Sequence, residues 1–247
     1  MRSIRIALVL AAAAAAVPVP AIVIRADRDD AEYLEMASKY ASSVAIGIPS
    51  GGEGVLISPR WVLSSAQVGS ALRSMKSMPA LTFDGRQYDI EDVLVYPTWR
   101  AGTPSSDIAL LYLKKPVRGV APTPLYRADD EGGRAVVIVG HGTSDGKARA
   151  AINTVDRVSP KLLTLLVKKP DEASDLQGSL SPGDRGGPAY IQEKDDLFVA
   201  GIAIGPDAND GKAQLYTRVS AFLPWIQKAL DKAAKDELRE QLEAPGS

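Results

Sequence analysis

The 247-residue sequence contains no cysteine and a single histidine, His141. Without cysteine there is no disulfide, no thiol nucleophile and no thiolate metal ligand. One histidine excludes a metal centre built from several imidazoles of one chain. We therefore predict neither a metal site nor a cofactor. The formal net charge of −1 gives no basic field to attract nucleic acid, so nucleic acid is not predicted as a partner.

The hydrophobic fraction of 45% is ordinary for a chain that buries a sizeable core. The length suits one domain, or two small domains packed together.

The first 21 residues have the pattern of an export signal. Arg2 and Arg5 precede an apolar, alanine-rich run, and Val19-Pro20-Ala21 is a small-residue cleavage site. The run is short for a membrane span. We predict a signal peptide over residues 1–21 and a periplasmic or secreted protein with no membrane attachment beyond export. The alternative interpretation is a buried N-terminal helix.

Most of the remaining chain consists of short β-rich runs separated by clusters of glycine, proline, aspartate and serine. This pattern favours an antiparallel barrel or sandwich over alternating strands and helices. Residues 29–40 and 220–242 have helical spacing, with Ser220 as a candidate cap and strong charge beyond residue 233. Residues 114–133 are predicted to connect two halves. The predicted strands are Ser43–Ile48, Gly54–Ile57, Trp61–Ser64, Tyr88–Tyr96, Ile108–Leu113, Ala135–Val139, Leu162–Val167 and Leu197–Ile204.

Five sequence motifs follow one another along the chain: GEGVLISPRWVLSSAQ, SSDIALLYL, VGHGTSDG, GDRGGP and LYTRVSAFLPWI. Together they resemble the trypsin/chymotrypsin-like serine peptidase family over about residues 22–230. The resemblance implies an all-β fold of two packed antiparallel six-stranded β-barrels with a C-terminal α-helix. The implied domain is 22–235, with a first barrel at about 22–118, a second at about 119–220, a helix from 220 and a charged tail at 236–247.

The resemblance also places the catalytic groups. Asp107 stands in the position of the triad carboxylate, Gln67 in that of the histidine base and Arg185 in that of the serine nucleophile. An amide has no titratable nitrogen near neutral pH, and a guanidinium stays protonated and is not nucleophilic. The usual mechanism needs both missing groups.

Other features follow from the same resemblance. The amides of Gly183 and Arg185 match an oxyanion hole, with an ordinary tight turn as the alternative. Ser179 is expected at the base of the specificity pocket. Asp184 is a candidate partner for the α-amino group that cleavage before Ile22 would create, and the alternative is that Asp184 binds amides of its own loop. The glycines after Arg185 are expected to allow close backbone approach.

Asp107 would be a buried carboxylate without its histidine, which is costly. One hypothesis is that Arg185 turns back towards Asp107, with Gln67 hydrogen-bonded to one of them. The other is that Arg185 points to solvent and Gln67 alone satisfies Asp107. His141 is expected to be a partly exposed loop residue.

These features predict an exported, catalytically inactive peptidase homologue that acts by binding a protein or peptide. Two alternatives remain open. One is a serine endopeptidase that works through an unusual site, and the other is a degenerate paralogue without a function.

Overall fold

A computed structural model describes residues 21–243 of the chain. The predicted signal peptide, apart from Ala21, and residues 244–247 of the predicted tail lie outside this range. The described residues form fifteen strands, three α-helices and two 3₁₀ helices. The strands are β1 (Val23–Ile24), β2 (Ser43–Ala45), β3 (Glu53–Ser58), β4 (Trp61–Ser64), β5 (Leu81–Phe83), β6 (Arg86–Tyr88), β7 (Ile90–Val95), β8 (Ala109–Leu113), β9 (Ala135–Gly140), β10 (Arg149–Val158), β11 (Leu162–Leu166), β12 (Gly178–Ser179), β13 (Pro188–Glu193), β14 (Asp196–Asp207) and β15 (Asp210–Arg218).

The second half of the chain forms a closed barrel in the order β10-β11-β15-β14-β13-β9. Each neighbouring pair is antiparallel. Alternate apolar side chains such as Ile138, Leu165 and Ala203 point into its core, as the period of two in a strand requires. This barrel, with the mostly β content and the C-terminal helix, confirms the predicted fold class.

The first half forms a five-stranded sheet in the order β2-β3-β4-β8-β7, and β5 and β6 form a separate two-stranded hairpin. The hairpin shares a hydrophobic core with the sheet, where Leu81 and Phe83 pack with Val44 and Val62. Side-chain packing rather than a continuous hydrogen-bond ladder therefore closes this half. The two strands of the hairpin are only three residues long each, which leaves little edge for further pairing.

Two short helices are capped by side chains at their first turns. Helix α1 (Asp30–Ala37) begins after Asp29, whose carboxylate accepts the N–H of Ala31 at 3.0 Å. Helix α2 (Ala66–Ser74) begins after Ser65, whose hydroxyl accepts the N–H of Val68 at 3.2 Å. Such caps satisfy N–H groups that have no partner inside the helix. Because α2 follows β4 directly, Gln67 lies in its first turn.

The C-terminal helix, α3 (Leu223–Glu243), follows a 3₁₀ helix at Val219–Phe222. Ser220 was expected to cap it, but its hydroxyl instead donates to Glu131 Oε1 at 2.7 Å. Ile226 anchors the start of α3 in the core. Within residues 21–243, no helix combines the length and the apolar character that crossing a membrane requires.

Candidate active site

Asp107 lies just before β8 and is 2% exposed. The N–H of Gln67 donates to its Oδ1 at 2.9 Å. Its own carbonyl accepts the hydroxyl of Thr217 at 2.7 Å. The first contact joins the start of α2 to the residue that precedes β8 by two positions, and the second ties Asp107 to β15 in the second barrel. The carboxylate is therefore held at the junction of the two halves.

The Arg185 side chain reaches back to Asp107. Its Nη1 lies 3.5 Å from Asp107 Oδ2, and the side chain is 27% exposed. Burial raises the pKa of Asp107, and the amide of Gln67 and the charge of Arg185 offset part of that rise. Burial lowers the pKa of Arg185, and Asp107 offsets part of that fall. Arg185 and Asp107 therefore form the predicted ion pair. Their attraction does not fully offset the cost of burying the two charges, since burial still shifts both pKa values.

Gln67 contributes to this arrangement through its main chain. Its side chain is exposed and forms no hydrogen bond with any residue from 21 to 243. Neither a carboxamide nor a guanidinium can accept a proton near neutral pH. Of the three residues predicted for the triad positions, Gln67 and Arg185 therefore supply neither a nucleophile nor a general base.

The loop that carries Arg185 is tied to both halves. It contains the 3₁₀ helix Pro182–Asp184. The carbonyl of Arg185 accepts the N–H of Glu53 at 2.8 Å, and the N–H of Gly186 donates to Ala203 at 2.8 Å. In the described part of the chain, the N–H of Gly183 has no acceptor. The loop therefore keeps a fixed shape with a free backbone donor, as an anion or carbonyl pocket needs.

A cleft of about 360 Å³ adjoins Arg185. Ile48, Val68 and Ile204 form apolar parts of its wall. Ser179, expected at the base of the specificity pocket, does not line this cleft, because it lies in β12 and pairs with Val23. Ser181 and Pro182 line the cleft instead.

Asp184 is fully buried and accepts three backbone N–H groups. Ile22 donates to its Oδ2 at 3.0 Å, Ser181 to Oδ2 at 2.6 Å and Gly142 to Oδ1 at 3.1 Å. Asp184 therefore binds backbone amides, including that of Ser181 in its own loop, and its pairing with an α-ammonium group at Ile22 stays a prediction. In the uncut chain Ile22 supplies an amide rather than an α-ammonium group.

Glu53 is a second buried acid beside Asp184, and sequence reasoning missed it. Its Oε1 accepts the N–H groups of His141 and, at 3.3 Å, of Gly142. Its Oε2 lies 3.6 Å from His141 Nδ1. The available signal was an acidic residue inside the otherwise apolar run GEGVLI, at a position that β3 turns inward.

Glu53 affects the titration of two buried neighbours, Asp184 and His141. Burial and the nearby charge of Glu53 raise the pKa of Asp184 to about 7. Burial alone would lower the pKa of His141, but the attraction of Glu53 outweighs it and the pKa is raised. Glu53 Oε2, His141 Nδ1 and Tyr216 Oη have no hydrogen-bond partner among residues 21–243. With both carboxylates ionised and the imidazole protonated, this cluster carries a net charge of −1, so one further proton or cation would make it neutral.

A relocated catalytic site has little support among the described residues. Ser106 is a serine that contacts a basic side chain, with Lys161 Nζ 3.0 Å from its hydroxyl. Ser106 is 2% exposed, so its oxygen is closed to a peptide substrate. Within residues 21–243, no group of acidic and histidine side chains has the arrangement of a metal site.

The family model described as Trypsin matches residues 35–226. The match covers well over half of the chain and includes Gln67, Asp107 and Arg185. It agrees with the closed antiparallel barrel and with the strand and loop positions described above. The chain therefore belongs to the trypsin family.

Proposed function

We propose that this protein is an exported trypsin-family member that does not hydrolyse peptide bonds and acts by binding a protein or peptide. One observation carries the proposal: the guanidinium of Arg185, the residue predicted for the nucleophile position, lies 3.5 Å from Asp107. The site that would hold a reactive serine and its base is filled by an ion pair. The surrounding cleft is retained and remains open to a ligand.

The loss of both groups supports inactivity on chemical grounds. A serine hydrolase needs a hydroxyl that attacks the carbonyl and a base that accepts its proton. Removal of either group alone from a related mechanism costs on the order of a millionfold in turnover. With Gln67 and Arg185 in these positions, that mechanism has no route.

The test is reaction with a fluorophosphonate probe, which labels activated serines. We expect no labelling of the wild-type protein and labelling of the double variant Gln67→His with Arg185→Ser. In that variant Asp107 is available to orient the new imidazole. Each single variant is the matched control and stays unlabelled, because it lacks either the base or the nucleophile. Labelling is read by gel fluorescence.

Labelling of the wild-type protein would overturn the proposal. The variant Ser106→Ala would then decide the source of the activity. If it abolished labelling, Ser106 with Lys161 would be the unusual site of an active endopeptidase.

Export gives a separate prediction. We expect N-terminal sequencing of the protein from the periplasm or medium to begin at Ile22. The new α-ammonium group would lie beside Asp184, where the amide of Ile22 lies at 3.0 Å in the uncut chain. A mature protein that starts elsewhere, or that stays in the cytoplasm, would contradict this prediction.

A further inference from the structure

The guanidinium of Arg185 has more donors than Asp107 uses. Only Nη1 approaches the Asp107 carboxylate, at 3.5 Å. Nε and Nη2 have no acceptor within residues 21–243, although a guanidinium offers five N–H donors in a planar fork. A Cβ built on Gly205 would lie 3.2 Å from Nη2. The guanidinium therefore reaches the opposite wall of the cleft with unused donors.

The charges around the cleft favour a monoanion. Arg185 is the charged residue among those that line it. Asp107 lies behind it and is only 2% exposed, so a ligand in the cleft meets the cation first. Because Asp107 already neutralises much of this single positive charge, a dianion such as phosphate would leave more unpaired negative charge than a monoanion would. A carboxylate matches both the charge and the fork.

The remaining wall has the character of a peptide-binding site. Ile48, Val68 and Ile204 are apolar, and Ser181 is a polar residue of the same lining. The volume of about 360 Å³ falls in the range of small-molecule and side-chain pockets. Apolar walls with a few polar groups are typical of sites that fix the orientation of a ligand.

We propose that this cleft binds a carboxylate group of a peptide, with Arg185 as the recognition residue and the apolar wall holding the residue that bears it or its neighbour. This proposal rests on the proposed function, because it names the ligand class of the same non-catalytic site. The carboxylate has two sources in a peptide, the chain's C-terminus and an acidic side chain.

The test uses three fluorescein-labelled tetrapeptides and fluorescence anisotropy. The first is Ala-Ala-Pro-Leu with a free C-terminal carboxylate, and the second is the same peptide with an amidated C-terminus. The third is amidated Ala-Ala-Pro-Glu. We expect the first to bind at least about tenfold more tightly than the second, as the loss of a charge-assisted hydrogen bond implies. Tight binding of the third peptide would extend recognition to acidic side chains, and weak binding would restrict it to the C-terminus.

The variants isolate the guanidinium. We expect Arg185→Gln to remove the preference for the carboxylate, and Arg185→Lys to keep part of it because the charge remains without the fork. The matched control is Arg157→Gln, which makes the same change on a strand of the second barrel where the side chain is 61% exposed. This control keeps the full preference.

Equal binding of the free acid and the amide would overturn the inference, as would an unchanged preference in Arg185→Gln. Absence of binding by all three peptides up to about 1 mM would also count against it. These failures differ from failure of the proposed function, which shows as fluorophosphonate labelling of the wild-type protein. An unlabelled protein with no carboxylate preference would lose only this inference.

Discussion

Replacing Gly186 with alanine is expected to lower the free energy of unfolding by about 2 to 5 kcal/mol. Gly186 has a φ of +89°, which side-chain-bearing residues rarely adopt. A Cβ there would overlap the carbonyl oxygen of Glu53 and lie 2.5 Å from Ser64 Oγ. Backbone oxygen cannot move aside without breaking the contact between β3 and the Arg185 loop. Urea denaturation followed by tryptophan fluorescence measures the loss.

Gly85→Ala is the matched control. Gly85 has a similar φ of +71° in the turn between β5 and β6, but a Cβ there meets nothing within 4 Å. Only the conformational cost remains, about 1 kcal/mol. Similar losses for the two variants would show that close approach at Gly186 contributes nothing.

The uncut chain is expected to lose stability as the pH rises from about 4 to 7. The pKa of Asp184 is about 7 in the fold and 3.8 in its ordinary state. Between these values the folded protein keeps a proton that the unfolded chain has lost, so unfolding releases protons and rising pH favours it. The effect is about 4 kcal/mol at its largest, because that is the free energy to which a pKa difference between 3.8 and about 7 corresponds. The raised pKa of His141 acts in the same direction. Urea denaturation midpoints, determined between pH 4 and 7, measure this loss of stability.

Two variants identify the groups responsible. Asp184→Asn removes the titrating carboxyl, so we expect a flatter pH profile whatever its absolute stability. Glu53→Gln removes a charge that raises the pKa of Asp184 in the fold, so the loss of stability should still begin near pH 4 but be smaller and end at a lower pH. A profile that matches the wild type in both variants would assign the pH dependence to other groups. A chain cut before Ile22 should also show a weaker dependence, because an α-ammonium group would stabilise ionised Asp184.

Strands could be predicted from the sequence where an apolar run is bounded by turn residues. The runs around Trp61–Ser64 and Ile108–Leu113 are apolar and flanked by turn residues, and they became β4 and β8. The strand β10 escaped prediction because Arg149 and Asn153 interrupt its apolar pattern. Both are buried with distant partners: Arg149 binds Asp30 at 2.8 Å, and Asn153 donates to the carbonyl of Gly178 at 3.0 Å. The sequence alone does not indicate which distant residues will pair with these two polar side chains.

The candidate site likewise contains residues that local motifs predict and one that they do not. The strings around Gln67, Asp107 and Arg185 placed the three positions, and the structure brings these residues together. Glu53 could not be assigned a role from the sequence, since its partner His141 is 88 residues away. An acidic residue in an apolar run is unusual, but only the packing of β3 against the Gly142 turn shows that both oxygens are buried. The charges around a buried residue come from side chains that are distant in the sequence, so they are known only once the chain is folded.

The bond between Ala21 and Ile22 sets an order of events for maturation. Both residues are buried, with exposures of 0% and 1%. A protease needs an extended, accessible segment, which the folded chain does not offer at this point. If the bond is cut, the cut must come before the barrel closes and buries it. Since the amide of Ile22 already binds Asp184 in the uncut chain at 3.0 Å, the link between this segment and the Arg185 loop does not depend on a later cleavage.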